Sequence, residues 1–178
     1  MNIRTLAIVA FLSMPFFHSP AFSQNAIEDD AKAALQTLYT DVPSAKVVGD
    51  KAKAVLVFPS IVKAGFVLGA QYGEGVLFVN GKLAGHYNSA AASYGLQAGV
   101  QTFGYALFLM TDDALKYLES SNGWEIGVGP SIVVVDLGKA KSLTTTTLKD
   151  DIYAFIFSQK GLMAGLGLQG SKITKLDK

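Results

Sequence analysis

From Ala54 onward the apolar residues no longer recur at helical spacing. They fall into strand-sized runs separated by glycine, a pattern that admits a sheet and little else. Ala54-Val55-Leu56-Val57-Phe58 is a short β-branched run that ends at Pro59. Residues 66–72 lead through Gly73-Glu74-Gly75 into Val76-Leu77-Phe78-Val79. Asn80-Gly81 then supplies a strong hairpin signal, with residues 82–88 as the returning arm. Residues 94–101, 105–110, 124–128 and 131–136 continue the series, and the threonine tract at 143–148 has good β propensity. Residues 152–157 and 162–169 read as a last hairpin around Lys160-Gly161. Most connections are too short for a crossover helix, so the sheet is expected to be antiparallel.

Glycines recur four apart at Gly65, Gly69 and Gly73, at Gly95 and Gly99, and at Gly161 and Gly165. As a membrane-helix packing motif they fail, because Gln71, Glu74, Gln97 and Gln101 lie among them and no apolar stretch there reaches spanning length. As phosphate loops they fail too, since no Lys-Ser follows and no helix starts after them. Along strands, glycine permits bulges, tight curvature and close backbone approach, so the sheet is expected to be curved and barrel-like.

Helices frame this sheet. Ile27, Ala31, Ala34, Leu35 and Leu38 form one helical face, with Glu28, Asp29 and Asp30 at the positive end of the dipole. That acidic start and the modest alanine-rich face favour packing on a core over lying on anionic lipid. Pro43 closes the segment, and residues 44–51 form a second, shorter helix. One further helix, 114–120, is capped by Thr111 or Asp112 and ended by Asn122-Gly123. The expected class is α+β: a curved, glycine-rich, barrel-like antiparallel sheet with an N-terminal helix and one inserted helix.

Residues 1–23 read as a secretory signal. Asn2 and Arg4 form a short basic region, residues 6–17 an apolar one interrupted by Pro15, and Ser19-Pro20-Ala21-Phe22-Ser23 a small-residue cleavage site. An uncut anchor is the rival reading, but the apolar run falls short of the roughly 20 residues a spanning helix needs. Residues 24–178 are then one exported domain, periplasmic or extracellular. Fourteen lysines face fourteen carboxylates in it, and it has no arginine and no cysteine. A nucleic-acid partner is not expected from so balanced a charge. Thiolate chemistry and Cys-based metal sites are unavailable.

Catalysis is not expected either. His86 is the only histidine after residue 23, and no Gly-x-Ser-x-Gly elbow exists to present Ser89 or Ser93 to it, with Asp136 as a third member. A lone histidine in a strand is an ordinary half-buried side chain. The acidic pairs Asp29-Asp30, Asp112-Asp113 and Asp150-Asp151 lack calcium-loop spacing, so neither metal nor cofactor is expected. What remains is cationic and apolar. Lys46, Lys51, Lys53 and Lys63 bracket the first strand, beside Phe58, Ile61, Val62 and Phe66, while Lys172, Lys175 and Lys178 mark the tail. Lysines attract anionic lipid at about 1 kcal/mol each, so useful affinity requires apolar groups beside them to enter the interface. The bland alternative is that the lysines are solvated and the aromatics are core.

The ordered run Ala52-Lys53-Ala54-Val55-Leu56-Val57-Phe58-Pro59, Lys63-Ala64-Gly65-Phe66, Gly69-Ala70, Gly73-Glu74-Gly75-Val76-Leu77, Ser93-Tyr94-Gly95-Leu96-Gln97-Ala98-Gly99 and Trp124-Glu125-Ile126-Gly127 resembles the SYLF family. The similarity extends from about Ala31 to the end of the chain. It implies an α+β lipid-binding domain without catalysis, of the type that in eukaryotic proteins links phosphoinositide membranes to actin assembly. Actin is not expected as a partner of an exported chain. The resulting expectation is a phospholipid-binding module of an envelope membrane. Lys46, Lys51, Lys53 and Lys63 would draw in anionic headgroups, and Phe58, Ile61 and Phe66 would supply apolar contact. The alternatives are an envelope scaffold that pairs a partner strand at an exposed sheet edge and a small integral outer-membrane barrel. Ile132-Val133-Val134-Val135 breaks the in-out dyad that such a barrel needs.

Overall fold

The alternation of buried and exposed residues along the long strands organises a single curled sheet with a core on each face. The structure, a computed structural model, describes residues 22–94, 99–121, 123–135, 148–161, 168 and 170–176. Helices α1 (Phe22–Asp41) and α2 (Pro43–Gly49) precede strands β1 (Ala54–Gly65), β2 (Leu68–Val79), β3 (Lys82–Tyr94) and β4 (Gly99–Leu109). Helix α3 (Asp112–Ser120) follows, then β5 (Trp124–Glu125), β6 (Ile132–Val135), β7 (Ile152–Gly161) and β8 (Lys172–Leu176). The strand order β5-β8-β3-β2-β1-β4-β7-β6 curls into a half-barrel, and the class is α+β as expected. The expected signal segment lies outside the described residues except for Phe22 and Ser23, which open α1.

The inner face holds Leu56, Phe58, Ile61, Leu77, Tyr87, Phe103, Tyr105 and Leu107, all buried. Phe58 stacks on Tyr105 with ring centroids 4.6 Å apart. On the outer face Val55, Val57, Val76, Phe78, Ala106, Phe108 and Phe155 pack under α1 and α2 through Ala31, Leu38, Ala45 and Val48. The first helix therefore does pack on a core, with Ile27, Ala34 and Leu35 at its margin.

Pro59 does not end the first strand. The β1–β2 register shifts between Val57 and Val62, and the β1–β4 register between Phe58 and Ile61. Pro59 and Ser60 thus sit in a bulge, where a missing N–H breaks no ladder bond. The extra residue also resets the alternation, so Phe58 and Ile61 both face inward although they are three apart. Gly73 and Gly75 of β2 lie against these two side chains. A Cβ at Gly73 would collide with Ile61, and one at Gly75 with the Phe58 ring. This close approach explains why β2 runs unbroken through Gly73-Glu74-Gly75.

The Asn80-Gly81 hairpin forms as the sequence indicates, with φ of 50° and 73° at its two turn residues. The Thr111 hydroxyl caps α3, accepting from the Ala114 N–H at 3.1 Å. One expectation needs correction, since β6 pairs with β7 in parallel. β6 and β7 are separated by residues 136–151, which meet the dozen or more residues that a parallel pair requires between its strands. The arm expected at 162–169 and the threonine tract fall outside the described residues, apart from Leu168 and Leu148. The neighbour of β3 at that side is β8, from the tail.

Candidate functional site

The residues singled out in the sequence do not form one patch. Phe58 and Ile61 are fully buried in the inner core and cannot reach a membrane in this fold, which corrects their assignment. The bulge is the cause, because it turns Ile61 inward with Phe58. Lys63, two residues further, is turned inward too and is only 6% exposed. It lies in a cross-strand row between Gln71 of β2 and Gln101 of β4, both buried. The Gln71 Nε2 donates to Ser171 Oγ at 2.8 Å.

Lys46, Lys51 and Lys53 stay on the surface at the junction of α2 and β1. Lys46 is tied to Asp50 at 2.7 Å and its ammonium lies 5.9 Å from the Tyr39 ring centroid. Lys53 faces Asp112 at 3.6 Å. Phe66 is exposed at the opposite end of β1, roughly 35–40 Å away at the usual rise per residue. That separation exceeds the ~8 Å screening length several times over, so these lysines and Phe66 do not act on one headgroup region.

A different apolar surface gathers around Phe66. The turn residues Phe66, Val67 and Leu68 project from the β1–β2 hairpin, with Phe66 73% and Leu68 72% exposed. Behind them no helix among the described residues covers the outer face, and two rows of cross-strand neighbours can be followed through the register. Ala92, Ala70, Ala64 and Val100 form the first, all exposed. The second runs Lys172, Ala90, Tyr72, Val62, Thr102, Lys160. Val62, Tyr72 and Val100 are large exposed apolar side chains, and a lysine stands at each end of the second row. Glu74 of β2 lies on this face too, accepting from the Tyr72 hydroxyl at 3.2 Å, and α1 and α2 cover only the other half of the face. Of this surface the sequence singled out Phe66, Val62 and, in the tail, Lys172. The remaining signal was there in apolar residues at a turn and in Tyr72 and Val100, but assigning them to one face requires the register.

A cavity of about 500 Å³ opens at the covered end, between α1, the α2–β1 junction and the Asn80-Gly81 turn. Leu35, Tyr39, Ala54, Val55 and Phe78 give it apolar walls, while Lys32, Gln36, Asp50 and Lys53 supply its polar ones. Burial, and secondarily the Asp50 carboxylate, pushes the Tyr39 hydroxyl up to about 12, so it remains protonated at neutral pH.

His86 is on the outer face of β3, its Nε2 3.4 Å from Glu28 Oε1 of α1. Ser89 faces inward beside Gly73 and Ile173, so the register places it and His86 on opposite faces. The pair His86–Glu28 links helix to sheet.

Sheet, glycine pattern and helix placement define an α+β half-barrel built on one curled sheet with cores on both sides. Within that class, residues 90–178, half of the sequence, match the Ysc84 family, described as Las17-binding protein actin regulator. The chain belongs to this family, the SYLF family that the residues of the first strands resemble. It is also 31% identical over 148 residues to Beta cell expansion factor A of Aeromonas veronii, an alignment covering 83% of this chain and 55% of that protein. The chain thus spans about half the length of this relative.

Proposed function

We propose that this protein is a non-catalytic module that binds anionic phospholipid at the surface of an envelope membrane, reached by export. The observation that carries the reading is the outer end of the sheet that no helix among the described residues covers. An apolar turn, Phe66-Val67-Leu68, continues into Val62, Tyr72 and Val100, with Lys160 and Lys172 on either side. Exposed apolar patches of this kind mark interaction sites. A bilayer suits this one because its apolar groups lead and its cations flank. Complete burial of Phe66 and Leu68 contributes about 2 kcal/mol each, and two lysines near an anionic surface about 1 kcal/mol each. The sum of about 6 kcal/mol lies between millimolar and micromolar binding, as befits a reversible peripheral contact. Family membership supports lipid as the ligand class, and the leader-like residues 1–23 support an envelope membrane as its location.

Strand addition at a sheet edge has less support. Among the described residues the edges are β5, of two residues, and β6, of four, and short edge strands offer little backbone to a partner.

Vesicle flotation tests the proposal. The protein should float with vesicles containing phosphatidylglycerol and much less with phosphatidylcholine alone. Phe66→Ser/Leu68→Ser should abolish flotation, and Lys160→Glu/Lys172→Glu should weaken it roughly tenfold or more at physiological salt. Lys46→Glu/Lys51→Glu should leave it unchanged. Flotation that ignores the turn variant, or that is equal on both vesicle types, rejects the mechanism.

A further inference from the structure

The cavity between α1 and the sheet is separate from the outer end around Phe66 and has its own chemistry. Its walls of Leu35, Val55 and Phe78 are apolar, and its cationic rim comes from two different elements, Lys32 on α1 and Lys53 at the start of β1. We infer that this cavity is a binding site for a single-chain amphiphile with an anionic head, the chain on the apolar wall and the head between Lys32 and Lys53.

Size, charge and bond strength point the same way. A cavity of about 500 Å³ is well within the 300–1,000 Å³ typical of small-ligand sites. It is roughly three times the 150 Å³ cavity that admits benzene, room for a chain of about a dozen carbons. The one carboxylate of the lining, Asp50, is engaged by Lys46 at 2.7 Å. Lys32 and Lys53 hold only long contacts to Asp29 and Asp112, at 3.5 and 3.6 Å, with all four side chains more than half exposed. Exposed pairs of that kind are weak, so either ammonium can turn to an anionic head at the rim at little cost. Tyr39, protonated at neutral pH, repels no anion and offers a hydroxyl donor at the wall. A cationic amphiphile of equal length would meet two ammonium groups and is disfavoured by their charge.

Isothermal titration of the full chain with dodecanoate, dodecyl phosphate and dodecyltrimethylammonium, each below its micellar concentration, tests the site. One equivalent of dodecanoate or dodecyl phosphate should bind saturably, and the stronger of the two identifies the head as carboxylate or phosphate. The ammonium amphiphile should bind at least tenfold more weakly. Lys32→Gln/Lys53→Gln should weaken anionic binding at least tenfold. Gln36→Trp, which fills the opening from the exposed side of α1, should abolish it, with the melting temperature of both variants retained. Phe66→Ser/Leu68→Ser should bind dodecanoate like the parent chain while losing vesicles, so failure of the cavity and failure of the membrane contact read out separately. Equal binding of anionic and cationic amphiphiles, binding that survives Gln36→Trp, or loss of binding in the turn variant overturns the inference. So does an absence of saturable binding by either anionic probe.

Discussion

Phe58 and Phe66 belong to the same strand and its turn, yet one closes the inner core and the other stands in solvent. Removing the Phe58 ring vacates a space walled by Tyr105, Gly75 and their neighbours, which cannot collapse without moving a strand. Phe58→Ala should therefore cost about 3–5 kcal/mol in urea unfolding, whereas Phe66→Ala should stay within about 0.5 kcal/mol. Comparable losses at the two positions would contradict the burial assigned to each. The two phenylalanines were indistinguishable in the sequence, since both neighbour lysines and prolines or glycines. What separates them is a bulge two residues long. A single-residue change in strand phase sends every later side chain to the other face. Ile61 and Lys63 went inward with it, and Val62 outward.

At the level of elements, local chemistry was readable wherever the chain caps or turns on itself. Of the two cap candidates, Thr111 and Asp112, it is Thr111 that accepts the Ala114 N–H, while Asn80-Gly81 makes the turn that its residue types favour. Thr111→Ala should lower stability by about 1 kcal/mol, measured by chemical denaturation, and Thr111→Ser should recover most of it. An Ala variant as stable as the parent would mean that the cap hydrogen bond contributes nothing. The pairing of distant elements was not readable in the same way. That β8 joins β3, and that β6 meets β7 in parallel, depends on which edges remain open after the first four strands have paired. Nothing in Ile132-Val133-Val134-Val135 encodes its neighbour, because a β-branched run fits any half-buried sheet position.

For the whole molecule, three segments converge on Asp151. Its carboxylate accepts from the Ser131 N–H and hydroxyl at 3.0 and 2.9 Å, and from the Thr111 hydroxyl at 3.4 Å, joining the starts of α3, β6 and β7. The hydrogen bonds from Ser131 hold this carboxyl below the ordinary carboxylate range. A depressed folded value means that the stabilisation is complete above about pH 4 and disappears as pH falls through that value. Tyrosines set the opposite limit. Burial pushes the hydroxyls of Tyr39 and Tyr87 up to about 12 and that of Tyr105 higher still, so stability should fall as pH rises past about 10, where the unfolded phenols ionise. Thermal unfolding followed by the fluorescence of the buried Trp124 should show a plateau between these limits, and Asp151→Asn should flatten only the acid side. An acid limb unchanged in that variant would place the sensitivity on other carboxylates.

Taken alone, the residues determined that this chain would be an α+β sheet protein with a packed N-terminal helix, poor in reactive side chains. These follow from composition and period, which depend on near neighbours only. The tertiary structure decided which groups share a surface. The Phe58–Ile61 bulge chose the face of the β1 residues beyond it, α1 and α2 cover half the outer sheet and no other described helix covers the rest, and cross-strand register set Lys160 and Lys172 at the two ends of the row through Tyr72 and Val62. Each of these is a long-range alignment between segments far apart in the chain, and periodicity carries no information about it.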